Sequence, residues 1–328
     1  MAEACAAACR ICGNAAGNTA YPVREMLHGS REAFTYFQCG ACGCLQIDAV
    51  PADLARHYPA EYQAYKDYRR RSRNRPRQFV DSRRVRYQLS GHGTLGRLLA
   101  GLAPPLDYVH WCRRMGLTQA SRVLDIGCGN GKLLTRMLAG GFTHLRGIDP
   151  FIAQDIVFGR EAAIRKTDLP GYLNAHPERF DLVMLHHSFE HMDNPAEVLN
   201  GCAKLLADDG WLLIRVPLAD SQAWEQYREN WYQLDAPRHL YLHTRVSMAV
   251  LARQCGFEIR LEERDSSAVQ FVQSECYVRD IPGNAPKAQK DLFSAEQLRE
   301  FDALTRHLNE TGKGDQGAFY LKKTRHSG

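Results

Sequence analysis

Residues 121–264 alternate between two hydrophobic periods. Arg122–Ile126 is a short apolar run ending in glycines, Lys132–Leu138 carries helical spacing, and His144–Ile148 is a second apolar run closed by Asp149. Phe180–Leu185 reads as a strand, Ala196–Leu206 as a helix, and Trp211–Val216 as a strand stopped by Pro217. Val246–Cys255 has helical spacing, with Thr244 placed to cap it and Gly256 at its end, and Phe257–Leu261 is the next strand. Further on, Ser294–Leu308 predicts a Ser-capped helix and Ala318–Lys322 a last strand. A third strand, between Asp149 and Phe180, is poorly marked. Strands and helices in alternation predict an α/β fold, a doubly wound Rossmann-like sheet.

The flanking regions differ. The first fifty residues are rich in Cys and Gly with few long apolar patterns, so they form a module too small to bury a sufficient core without a staple. Pro51–Tyr68 is polar and aromatic, and Tyr87–Leu117 is helical in parts, broken by Gly91, Gly93, Pro104 and Pro105. The expected organisation is a module over 1–50, a basic and helical linker or acceptor region over 51–117, and an α/β domain over 118–328. A helical insertion is expected at about 265–317, before the last strand.

Composition sharpens two points. Hydrophobic residues make up 45% and charged residues 24% of the 328, the balance of a soluble globular protein. No run approaches the roughly 18 apolar residues of a membrane helix. Met1–Arg10 carries Glu3 and no basic stretch before an apolar core, so no signal peptide is read and a cytoplasmic protein is expected. The net charge of +5 is uneven: ten basic and two acidic residues between Lys66 and Arg86 give that segment +8, leaving −3 for the rest.

Six of the eleven cysteines lie within the first 44 residues. In a reducing compartment, clustered thiols point to metal rather than disulfides. Cys9-x2-Cys12 and Cys39-x2-Cys42 are two knuckles separated by 26 residues, a set that suits tetrahedral Zn2+. All four positions are filled by protein, so the ion is expected to be structural. Cys5 and Cys44 are spare thiols, and the five later cysteines are read as core packing.

The most specific chemistry lies in Asp125-Ile-Gly127-Cys128-Gly129-Asn-Gly131, at a strand end and a helix start. Glycines permit a tight turn and close approach of the backbone to a ligand, and the helix N-terminus offers unpaired N–H groups. Asp149, 18 residues past Gly131 at the next strand tip, is placed to accept ribose hydroxyls. A dinucleotide site would require G-x-G-x-x-G, and its third position here is Lys132. Asp125 would repel a pyrophosphate and suits a cationic ammonium or sulfonium.

These residues resemble the first motif of class I S-adenosylmethionine-dependent methyltransferases. Gly147-Ile-Asp149 is similar to their second-strand acid, Phe180–His191 to their fourth strand and following loop, and Asp209-Gly210-Trp to the turn into strand five. The match spans Ser121–Arg264, and Ala318–Lys322 resembles the final antiparallel strand of a seven-stranded sheet. The resemblance implies that Asp125 and the loop glycines Gly127, Gly129 and Gly131 hold the methionine part, that Asp149 holds the ribose, and that Asp168 meets the adenine amino group. It adds Cys128, Pro150 and His186 to the cofactor set. The N-terminal cysteine arrangement also resembles the zinc-binding module that precedes some bacterial methyltransferase domains, including sugar C-methyltransferases.

Methyl transfer from a sulfonium is an in-line displacement that depends mainly on positioning, and a base is needed only where the acceptor must lose a proton. His186, His187, Glu190 and His191, just after the fourth strand, are candidates, with Glu190-His191 also explicable as loop framework, and His239 further along is a third catalytic candidate beside Glu190 and His191. Trp231–His243 concentrates aromatic rings, Asp235, Arg238, His239 and His243, which suits a polar, ring-shaped acceptor such as a sugar. The plainer reading is a packed connector with Arg238 paired to Asp235. The leading function is therefore methylation of a small-molecule or sugar-linked acceptor, a sugar nucleotide included. The alternatives are RNA or protein methylation, docked through the zinc module and arginines, and a non-catalytic scaffold. No recognisable RNA-binding module accompanies the arginines, which ranks nucleic acid second. The sequence leaves homo-oligomerisation open.

Overall fold

The computed structural model describes residues 3–58, 75–101, 106–175, 178–285 and 292–324. Four short strands come first: β1 (Glu3–Cys5), β2 (Asn18–Arg24), β3 (Ala33–Gln38) and β4 (Leu45–Ile47). Then come helices α1 (Arg75–Ser90), α2 (Thr94–Ala100) and α3 (Asp107–Arg114). The alternating region contains β5 (Val123–Ile126), α4 (Lys132–Ala139), β6 (Leu145–Ile148), β7 (Ile156–Gly159), β8 (Ala162–Arg165), α5 (Leu169–Ala175), β9 (Phe180–His186), α6 (Pro195–Leu205) and β10 (Leu206–Pro217). Last are α7 (Gln222–Tyr227), β11 (Tyr241–Leu242), α8 (Arg245–Gln254), β12 (Phe257–Arg264), α9 (Val269–Val278), α10 (Ala295–Glu310) and β13 (Gln316–Lys323).

The chain divides into two compact units. The first comprises Met1–Pro59, Phe189–Ala196 and Arg215–Phe319, and the second Ala60–Ser188, Glu197–Ile214 and Tyr320–Gly328. The central sheet has eight strands in the order β12-β13-β10-β9-β5-β6-β8-β7. That is one more than the seven expected, because β7 folds back antiparallel onto β8 with a bulge between Val157 and Gly159. The mixed α/β architecture is the expected one.

Within the second unit, β5 lies between β6 and β9, parallel to both, with Val123 opposite Leu145 and Leu182. β8 continues the parallel set, with Leu145 opposite Ala162. All four residues of β5 are buried, as expected where helices cover both faces of a parallel sheet. β10 begins at Leu206, so Asp209 and Gly210 belong to the strand rather than to a turn before it. Lys322 and Lys323 donate to the backbone carbonyls of Asp209 and Leu206, which secures this extension. The arginine run from Lys66 to Arg73 lies outside the described residues. On α1, Arg77 and Arg84 pair with Asp81, and Arg83 lies over the Phe79 ring.

The first unit contains an antiparallel sheet in the order β1-β2-β3-β4-β11. Its β2–β3 pairing runs from Thr19 opposite Gln38 to Arg24 opposite Ala33. The last strand comes from far along the chain: Tyr241 pairs with Gln46 and Leu242 with Leu45. Thr244 caps α8 as expected, accepting from the Ser247 N–H while Ser247 Oγ accepts from the Thr244 N–H, a reciprocal box. Ser294 and Gln297 form the same box at α10. Both α9 and α10 fall within the expected helical insertion. Met26, Cys276 and Tyr277 form a small core beside Tyr232, Ile281, Leu292 and Phe293.

Candidate functional sites

In the second unit, the chain leaves β5 through three left-handed glycines: Gly127, Gly129 and Gly131 have φ of 75°, 53° and 78°. Gly131 is the N-cap of α4. A Cβ there would stand 2.3 Å from Ile164 Cδ1, so both conformation and space select glycine. Gly147, on β6, has a similar role: a Cβ would stand 2.5 Å from Cys128 Sγ. Asp149 locks the turn from the neighbouring strand end. Its Oδ2 accepts from the Gly129 N–H at 2.9 Å and its Oδ1 from the Phe151 N–H at 2.9 Å. Ser188 Oγ donates to the Ile126 carbonyl at 2.6 Å, a contact with no sequence signature.

Asp125 is 3% exposed, and its Oδ1 is buried without a hydrogen-bond partner among the described residues. Burial, and secondarily the charge of Asp149, hold its carboxyl well above the usual carboxylate range. Burial also raises Asp149, against the pull of its backbone donors. A cation placed against Asp125 would favour its ionised form, which matches an ammonium or sulfonium. Pro150 is exposed beside Asp149, and the Cys128 thiol is driven up by burial. Asp168 is exposed and accepts the Gly171 N–H at 2.8 Å, so it caps the start of α5. His186 packs against Trp111, ring centres 5.1 Å apart.

The first unit gathers Glu190, His191 and His239. Glu190 is fully buried, and His239 Nε2 stands 3.9 Å from its Oε1 and 3.8 Å from Asp235 Oδ2. The His191 and His239 rings lie edge to face, 4.7 Å between centres. Burial, and then the charge of His191, push His239 down to about 4. Arg238 is fully buried behind them. Its Nε and Nη2 donate to Asp235, its Nη2 also to Glu25 at 2.9 Å, and its Nη1 to the His57 carbonyl at 3.2 Å. Burial opposes ionisation of Asp235 and Glu25. Arg238, with the His28 and Ser30 N–H groups on Glu25, outweighs it and holds both carboxyls below their ordinary values. His243 is elsewhere occupied, stacked on Phe189 and Tyr241 and bonded to Ser247 Oγ at 3.1 Å. The Arg238–Asp235 pair was legible in the sequence, whereas Glu25, over 200 positions away, carried no signal.

The same unit brings Cys9, Cys12, Cys39 and Cys42 together, with all four Sγ atoms within 4.8 Å of one another. Cys9 and Cys42 are 3.6 Å apart, and Cys12 and Cys39 3.5 Å. Four thiolates about 2.3 Å from one zinc ion would stand roughly 3.8 Å apart. Donors already surround the sulfurs: Gln46 Nε2 lies 3.1 Å from Cys9 Sγ, and the Ala41 and Cys42 N–H groups 3.4 Å from Cys39 Sγ. Cys44 is buried and bonds the Leu45 carbonyl, and neither it nor Cys5 joins the group.

A family model described as a methyltransferase domain matches residues 93–262. Ubiquinone biosynthesis O-methyltransferase of Thiobacillus denitrificans is 30% identical over 111 residues, covering 32% of this chain and 47% of that protein. The enzyme of the same name from Neisseria meningitidis is 36% identical over 101 residues, covering 27% and 41%. The chain thus spans about half the length of the curated relatives it matches. A solved S-adenosylmethionine-dependent methyltransferase from Archaeoglobus fulgidus aligns with a TM-score of 0.40 and 20% identity, over 67% of this chain and all of that one. With the family model extending across the glycine turn and both acids, this chain belongs to the class I S-adenosylmethionine-dependent methyltransferases.

Proposed function

We propose that the chain methylates a small-molecule acceptor, using S-adenosylmethionine. The observation that carries this reading is the glycine turn fixed by Asp149, with an oxygen of Asp125, unpartnered among the described residues, buried beside it. When bound, the cofactor supplies an electrophilic methyl group on a positively charged sulfur. In this assignment Asp125 faces the cationic methionine part, Gly127 to Gly131 receive it against the start of α4, and Asp149 and Pro150 hold the ribose. Asp168 offers its remaining oxygen to the adenine amino group. Two named relatives are O-methyltransferases, which makes a hydroxyl the first acceptor class to test, sugar-linked hydroxyls included.

Zinc in the four-cysteine site is part of the same proposal. Sulfur spacing and surrounding donors support a closed structural ion. His191, His239 and Glu190, proposed as catalytic from their place in the chain, form a cluster whose donors suit cation ligation as well as proton transfer.

The test is calorimetric binding of S-adenosylmethionine and S-adenosylhomocysteine, with Asp149→Ala as control. Binding that the variant weakens at least tenfold is expected. Turnover is then sought with tritiated methyl donor against phenols and sugar nucleotides. Folded, zinc-loaded protein that binds neither ligand would overturn the reading.

A further inference from the structure

The first unit holds a second set of metal-type donors, separate from the cysteines. One oxygen of Glu190 and one ring nitrogen each of His191 and His239 lie within 4.8 Å of one another. Both imidazoles are oriented from behind. His239 Nδ1 lies 2.6 Å from the Gln233 carbonyl oxygen, and His191 Nδ1 lies 2.9 Å from that of Arg238. A carbonyl only accepts, so each Nδ1 carries the proton and each Nε2 keeps its lone pair. Metal-binding histidines are held in this way, one nitrogen donating to a carbonyl and the other facing the ion.

The spacing favours an ion over a shared proton. The His239 Nε2 separations of 3.9 Å to Glu190 and 3.8 Å to Asp235 are too long for hydrogen bonds. Donors about 2.1 Å from one ion stand roughly 3.0–4.2 Å apart, so an ion would require shifts of only tenths of an ångström. Charge points the same way. Among the described residues, the enclosed carboxyl groups of Glu25 and Asp235 pair with the Arg238 guanidinium, and Glu190 stands beside His239. A dication would add favourable charge next to Glu190 and Asp235. Two imidazoles with one carboxylate favour a transition ion over magnesium or calcium, which prefer all-oxygen sites.

We propose that Glu190, His191 and His239 bind a first-row divalent transition ion through a carboxylate oxygen and two Nε2 atoms, with Asp235 at the edge of its coordination sphere. The same three side chains are those proposed as catalytic, but ion uptake is read without turnover, so its failure is distinguishable from failure of the methyl-transfer reading.

The full chain, brought to one zinc per molecule to fill the cysteines, is titrated with Co2+ and followed by absorption and metal analysis. One Co2+ per chain is expected, with visible ligand-field bands and no thiolate charge-transfer band. Glu190→Gln, close in size to the native residue, and His239→Ala should each weaken uptake at least tenfold while retaining the zinc and the far-ultraviolet dichroism of the native chain. Three results would overturn the proposal: no Co2+ uptake, uptake with thiolate charge-transfer bands, or uptake unchanged in Glu190→Gln.

Discussion

Arg238→Ala is expected to be among the most damaging substitutions in the first unit, and the structure says why. The guanidinium is fully buried and bonds two enclosed carboxylates, Asp235 at 2.6 Å and Glu25 at 2.9 Å. Removing it leaves both acids in a low-dielectric interior without their counter-charge. Breaking one partner of a buried pair costs about 3–5 kcal/mol, and two acids depend on this cation, so the upper part of that range is expected at pH 7. Urea unfolding followed through buried Trp224 and Trp231 reads the loss.

The pH dependence supplies an independent sign. In the native chain Asp235 and Glu25 are held below their ordinary values. Their contribution is therefore present above the unfolded values of about 4 and is lost as pH falls through the lower folded values. Without Arg238, burial is opposed only by the His28 and Ser30 N–H groups on Glu25 and by the neighbouring histidines on Asp235. Both acids then rise, and the variant takes up more protons than the native chain as pH drops from 7 to 5. That uptake relieves its unpaired charge. The stability gap should therefore narrow on acidification. A gap under about 1 kcal/mol at pH 7, the level of an exposed pair, or one that widens toward pH 5, would refute this account.

Three further outcomes follow from local geometry. Gly131→Ala should cost about 1–2 kcal/mol in backbone strain and about 1–3 kcal/mol in overpacking against Ile164. Melting temperatures will show it, and Ile164→Val should recover part of the second contribution. Thr244→Ala removes both the α8 cap and the bond from Thr244 Oγ1 to the Cys42 carbonyl, for a loss of about 1–2 kcal/mol. Thr244→Ser should recover most of it; equal loss in both variants would assign the effect to the methyl group. Stripping zinc should release one ion per chain and abolish amide-exchange protection in the β2–β3 pairing, because structural zinc contributes roughly 10–16 kcal/mol to small modules. Protection that survives complete zinc loss would show that the sheet stands without the ion.

What the sequence revealed was local. The turn from Gly127 to Gly131 needs three left-handed residues in five, and glycine marks all three. Thr244 and Ser294 announced their helices because a cap and its partner sit three residues apart. The missed features depend on distant partners. β7 and β8 gain their place by pairing, β8 with β6 and β7 with β8. β11 has only two residues and is a strand because Gln46 and Leu45 lie opposite them. Consecutive buried Tyr36 and Phe37 also blur the alternation that would have marked β3.

The same distant pairing ties the cysteine site to the histidine cluster within the first unit. Tyr36, on β3 between the two cysteine knuckles, donates its hydroxyl to the His239 carbonyl at 2.8 Å. Glu25, at the end of β2, holds Arg238, the residue before His239. Past them the chain enters β11 and pairs with β4, and at Thr244 it bonds the Cys42 carbonyl at 2.6 Å. Residues 238–244 are thus fastened at four points to a sheet that is too small to be stable without a staple. A zinc ion in the cysteines would therefore do more than hold its own module. It would fix the backbone that presents His239 to Glu190, and losing it should loosen that cluster before any residue of the cluster is altered.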